Sequence, residues 1–238
     1  MPTQIEKIEA HASHLLDAFI RLRERYALLH PMLFSPEVPK LRGSGSQARG
    51  FLTLRHSLFI SCAQDIAKLT LDADHRTPSI KNLVAAIQLD QLRKILRKRF
   101  SEWVVPCIEE ETDPGIVEAL KRMESREQDE RRKQFDELLF KTANHWQALK
   151  IDSALAGFLA IRDKVSAHTE VHLVAEKYQL VDIGTLGIKW ADMKRLIDEM
   201  QSLVEALGLL IRNAGFAWDM LDSQLAEAGE SFWQPSAH

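Results

Sequence analysis

A chain of 238 residues with 45% hydrophobic and 27% charged residues can bury a sizeable core without staples, so a disordered or disulfide-built protein is excluded. The net charge of −3 gives no overall attraction to nucleic acid or an anionic membrane, and any such binding must come from a local patch. The two cysteines, Cys62 and Cys107, lie far apart in apolar surroundings and read as two buried, reduced thiols.

Apolar residues at 5, 8, 12, 15, 16, 19, 22, 26 and 29 predict a long amphipathic helix, ended by Pro31. No apolar signal core and no run of about 20 apolar residues appears, so the chain is read as cytoplasmic, with no membrane partner. Residues 30 to 47 hold Pro31, Pro36, Pro39, Gly43 and Gly45 and predict a loop. Its Arg42-Gly43-Ser44-Gly45-Ser46 stretch lacks the lysine and spacing of a P-loop.

Residues 50 to 71 predict a second helix, apolar on most of its circumference, with Arg55, His56 and Asp65 as polar exceptions. A turn from Asp72 to Pro78 follows, then a short helix capped by Ser79. From Asp90 a further helix sets Leu92, Ile95, Leu96 and Phe100 against a basic side of Arg93, Lys94, Arg97, Lys98 and Arg99. That side suits RNA phosphates or plain solvation. Residues 115 to 149 predict a long helix whose middle, Glu124 to Gln134, has no large apolar side chain and is expected to project or to cross between packed ends.

Asp152 to His168 predicts a core-facing helix capped by Asp152, with Leu155, Phe158, Leu159 and Val165 as its apolar stripe. Into it the chain places Arg162, Asp163 and His168, and charge near a core is costly unless paired or used. Residues 169 to 189 read as a loop with a short extended piece. A long closing helix then runs from Trp190 to Leu225, before a weakly constrained tail from about 229 to 238. The whole is one all-α domain, a bundle of about six to seven helices. Trp103, Trp146, Trp190 and Trp218 sit at core-like positions, and His11 with His14 is too sparse for a metal site.

Arg162-Asp163 followed by His168, with five residues between arginine and histidine, resembles the signature of the HEPN superfamily. The order around it resembles the abortive-infection (Abi) U-type branch. That order comprises the Leu54-Arg55-His56-Ser57-Leu58 helix, the 72–78 turn, the Ser79 helix, Tyr178, the Asp182-Ile183-Gly184 turn and a long last helix. The resemblance covers residues 48 to 215. It implies a helical domain that dimerises and, in many members, a metal-independent endoribonuclease using the ribose 2′-hydroxyl as nucleophile. It needs no cofactor or metal, and a cognate antitoxin is an implied partner. Other members bind nucleotides, RNA or proteins without cleaving.

On these residues, His168 would be general base or acid, Arg162 would hold the scissile phosphate, and Asp163 would orient one of them or position the 2′-hydroxyl. Ser166, Arg55, Arg93 and Arg97 are candidate substrate contacts. A six-residue step of a regular α-helix turns His168 about 120° away from Arg162, so the pair would have to meet across two copies of the chain, or the helix would have to end near His168. The competing reading pairs Arg162 with Asp163 or another carboxylate and makes His168 a helix C-cap, leaving a structural dimer with no active site.

Overall fold

The computed structural model describes residues 3–41, 44–167, 171–174, 177–180 and 187–234. Its first helix, α1 (Gln4–Phe34), opens on a capping box: the Glu6 amide donates to Thr3 Oγ1 at 3.2 Å and the Thr3 amide donates to Glu6 Oε2 at 2.6 Å. The apolar stripe then buries Ile8, Ala12, Leu15, Phe19, Leu22, Tyr26 and Leu29, as the spacing requires. Pro31 does not end the helix; it lies inside it. Proline has no amide to offer the carbonyl four residues back, which here is Ala27. The last helix packs at that carbonyl, so closely that a Cβ on Gly229 would stand 2.6 Å from the Ala27 oxygen.

After the short α2 (Glu37–Lys40) comes α3 (Ser46–Leu71). Its second half is sealed in the core through Phe59, Cys62, Ala63, Ile66 and Ala67, but Leu52 and Leu54 in its first turns are exposed, although burial was expected on most of the helix circumference. Arg25 of α1 pairs with Asp65, while Met32 of α1 clusters with Phe51, so α1 and α3 run antiparallel. The small helices α4 (Ile80–Ile87) and α5 (Asp90–Ser101) follow, the first capped by Ser79 as expected, with the Asn82 amide donating to its hydroxyl at 3.2 Å.

The long α6 (Pro114–Lys150) lies along α5. Its charged middle does not project. Gln128 Nε2 donates to the Trp103 carbonyl at 2.9 Å, and Phe135 is fully buried with its ring 5.6 Å from that of Phe100. Exposed apolar side chains lie on either side of this middle, at Ile116 and Met123 before and Phe140 after. The charged stretch is stitched by spaced pairs such as Arg131 with Glu127 at 2.9 Å, which let it cover the 101–105 segment without an apolar face.

The predicted helix from Asp152 becomes α7 (Ser153–Ala160) and a π-helical segment, Ile161–Ala167. Where a loop with a short extended piece was expected stand two paired strands, β1 (Val171–Val174) against β2 (Lys177–Leu180), antiparallel with Val171 opposite Leu180 and Val174 opposite Lys177. The closing helix is two helices. α8 (Trp190–Arg212) stops where Asn213 takes a left-handed φ of 51° and returns its amide to the Leu209 carbonyl at 3.0 Å. α9 (Trp218–Trp233) then folds back on α1. Residues 229–233 are therefore helix rather than tail, and the Trp233 indole donates to the Leu28 carbonyl at 2.9 Å.

The fold is all-α in character, with nine α-helices among the described residues rather than six or seven, because the closing helix divides and α2 forms where a loop was expected. Cys62 is buried, and burial drives its thiol pKa up to about 12; Cys107, contrary to expectation, is exposed. Trp146 and Trp218 are core residues as predicted, while Trp190 is nearly half exposed.

Candidate functional site

Arg23 of α1 reaches Gln201 of α8, and His30 lies beside Lys194, so α8 runs antiparallel to α1 and hence parallel to α3. α7 is pinned at its start and along its side. At the start, Asp152 Oδ1 accepts from the Ala154 amide at 2.8 Å, and the two carboxylate oxygens of Asp152 take the Arg195 guanidinium at 2.8 and 3.1 Å. The Arg195 hydrogen bond first, and the backbone donors after it, hold the Asp152 carboxyl below the usual aspartate range. Along its side, the Phe158 ring centroid stands 6.3 Å from that of Phe59, which meets Trp190 edge-on at 5.0 Å. Asp152 faces residue 195 and Phe158 the neighbourhood of residue 190, so α7 is antiparallel to α8 and to α3.

The antiparallel sense decides which residues meet. One turn beyond Phe158 is Arg162; one turn before Phe59 is Arg55. The two arginines therefore stand at one level of the bundle, where the π-helical segment packs on α3, and Arg55 is half-buried there. Arg162 is about one-third exposed, and its Nε donates to Asp163 Oδ1 at 2.7 Å. Asp163 is about half exposed, so water screens this pair and it contributes little to stability. A π-helical turn is rare and is often found at functional sites. It also removes the premise of the 120° offset, which holds for a regular α-helix.

Ser166 lies within the same segment. His168 and the Asp182-Ile183-Gly184 turn lie outside the described residues. Arg93 and Arg97 are not brought to this place, since α5 packs on α4, α6 and α8. Arg93 pairs with Asp90 at 2.5 Å, and Arg97 grips both oxygens of Asp136 at 2.8 to 3.0 Å, which ties α5 to α6. Arg99 also has a partner, Glu9 at 2.6 Å. The basic side of α5 is thus partly neutralised within the chain.

The Arg195 clamp on Asp152 and the Phe59–Trp190 wedge were not read from the sequence. Asp152 is visible there as a cap, but its partner is 43 residues away on another helix. No group of three or more His, Cys, Asp or Glu among the described residues could hold a metal ion, and His11 with His14 gains no third ligand there. No described helix is long and apolar enough to cross a membrane. Compared with known families, residues 5–232 match the family model HEPN_AbiU2, described as AbiU2. No curated protein and no solved structure matches the chain.

Proposed function

Because the chain belongs to the HEPN_AbiU2 family, we propose that it is a metal-independent endoribonuclease acting as a homodimer in a toxin or phage-defence role, held in check by an antitoxin protein. His168 takes the proton of a ribose 2′-hydroxyl. The 2′-oxygen attacks the adjacent phosphorus, the bond to the 5′-oxygen breaks, and that oxygen receives a proton from an imidazole. Arg162 holds the phosphate with paired N–H donors and stabilises charge on its oxygens. Arg55, level with it on α3, adds a second cation, and Asp163 orients Arg162 between turnovers. Ser166 supplies a hydroxyl in the same segment.

One observation supports this reading: Arg162, in the stretch that resembles the family signature, sits on a π-helical segment, about one-third exposed, held by a screened carboxylate that a phosphate can displace. Arg93 and Arg97, each bound to a carboxylate, are left out of the surface we propose.

The test is cleavage of a structured RNA by purified protein with and without a chelator, beside Arg162→Ala and His168→Ala. Retained activity in either variant, or activity lost to the chelator, sinks the nuclease reading. A second reading, a HEPN-like module that binds a nucleotide, RNA or protein without cleaving, is favoured by the fact that Arg162 already has a carboxylate partner. Saturable RNA binding that weakens in Arg162→Ala, with no turnover in the wild type, would establish it instead.

A further inference from the structure

A cleft of about 720 Å³ lies between the end of α1, α2, the first turns of α8 and the end of α9. That volume falls in the range of small-molecule sites. One wall is an aromatic row at four-residue spacing on α1: Tyr26, His30 and Phe34, with centroids 5.6 Å apart for the first pair and 4.8 Å for the second. Trp233 of α9 also lines the cleft, as do Ile197 and Leu225.

The charge around this apolar space leans one way. Lys194 is paired with Asp198 at 2.6 Å, and Arg23 is taken by Gln201 and Asp222. The described lining still holds four acids, Glu37, Asp198, Asp222 and Glu230, against two bases, with Glu230 on the rim and Glu37 meeting the well-exposed Lys40 at 3.1 Å. Burial, and then Lys194, lower the His30 pKa, so at neutral pH this ring adds no positive charge.

The backbone leans the same way. Both α1 and α9 end at this cleft, since Phe34 and Ser35 of one and Trp233 and Gln234 of the other line it. A helix C-terminus carries about half a negative charge. Among described helices longer than eight residues, α3, α5, α6 and α8 set a lysine or arginine in the last turn, and α1 and α9 set none. Two uncompensated helix ends thus converge on one aromatic-lined cleft.

We infer that this cleft binds an organic cation, an ammonium or guanidinium on a flat apolar body. The body lies against the Tyr26–His30–Phe34 row and Trp233, whose ring faces attract a cation. The cationic head faces Glu230, Glu37 and the two helix ends. This site is separate from the Arg162 segment and does not depend on the nuclease reading.

The test is calorimetric titration of the full chain at neutral pH with 2-naphthylmethylammonium, with 2-naphthalenemethanol as neutral control and 2-naphthoate as anionic control. The ammonium should bind one site per chain with a dissociation constant below about 1 mM. It should bind about tenfold tighter than the alcohol, and the naphthoate weakest of the three. Two variants at exposed positions keep the fold: Glu230→Lys should weaken the ammonium by about tenfold, and Ala226→Trp, which fills the cleft, should remove binding. Equal affinity for the ammonium and the alcohol, tighter binding of the naphthoate, or ammonium binding untouched by both variants would overturn the inference.

Discussion

The turn after α7 and the cleft where α1 and α9 end manage charge in opposite ways. At the first, Arg162 and Arg55 stand level on neighbouring elements, and the one carboxylate shown against Arg162 is half exposed. At the second, two helices end without a basic side chain, and the cleft's cations are already taken by Asp198 and Asp222. The net charge of −3 averages over these places and describes neither. A near-neutral chain can carry one site suited to phosphate and another suited to a cation, provided that each is set by local geometry.

The largest effect should come from removing what holds the first site in place. Phe158→Ala leaves a cavity against Phe59 and should cost about 3–5 kcal/mol in chemical denaturation, taking activity with it. Arg162→Ala should separate chemistry from stability: RNA cleavage falls by about 10²-fold or more, while the melting curve moves little. Arg162→Lys should not restore the rate, since a single ammonium cannot make the paired contact. On the other side, Gly229→Ala presses a methyl into the Ala27 carbonyl and should destabilise by about 1–3 kcal/mol, without touching cleavage by the remaining folded protein.

Asp152→Ala should cost about 0.5–2 kcal/mol from the lost cap alone, and it releases Arg195. Because the folded state lowers the Asp152 pKa, the stability from this carboxylate is fully present above the ordinary aspartate value of about 3.9. It is lost as the pH falls through the lower folded value. Acid titration of the wild type should show that loss, and the alanine variant should not. The smallest effect sharpens the contrast most: Glu230→Lys should raise stability by about 0.3–1 kcal/mol by compensating the end of α9, while it weakens the binding of an organic cation.

Periodicity alone was enough for the helices that bury one regular stripe. The α1 stripe, the Ser79 cap of α4 and the Asp152 cap of α7 stand where side-chain chemistry puts them. The resemblance drawn over residues 48 to 215 proves narrower than the family match, which also takes in α1 and most of α9. Pro31 was read as a stop, but a proline costs a helix one hydrogen bond and one crowded carbonyl, and the packing of Gly229 and Trp233 on that turn outweighs this. The charged stretch of α6 was expected to project or to cross between packed ends, and the crossing alternative holds, with Gln128 and Arg131 satisfied against α5's end and within the helix.

For the candidate site, the sequence picked out Arg162 and Asp163 as charges that a core-facing helix would not carry idly. It also fixed the all-α class, because apolar spacing and capping chemistry are local and act wherever the chain goes. Only the tertiary structure could set Arg55 level with Arg162, take Arg97 away to Asp136, and bring two bare helix ends to one cleft. Those outcomes depend on the sense in which helices far apart in the chain pack against each other. Side-chain spacing along one helix holds no record of its neighbour's direction.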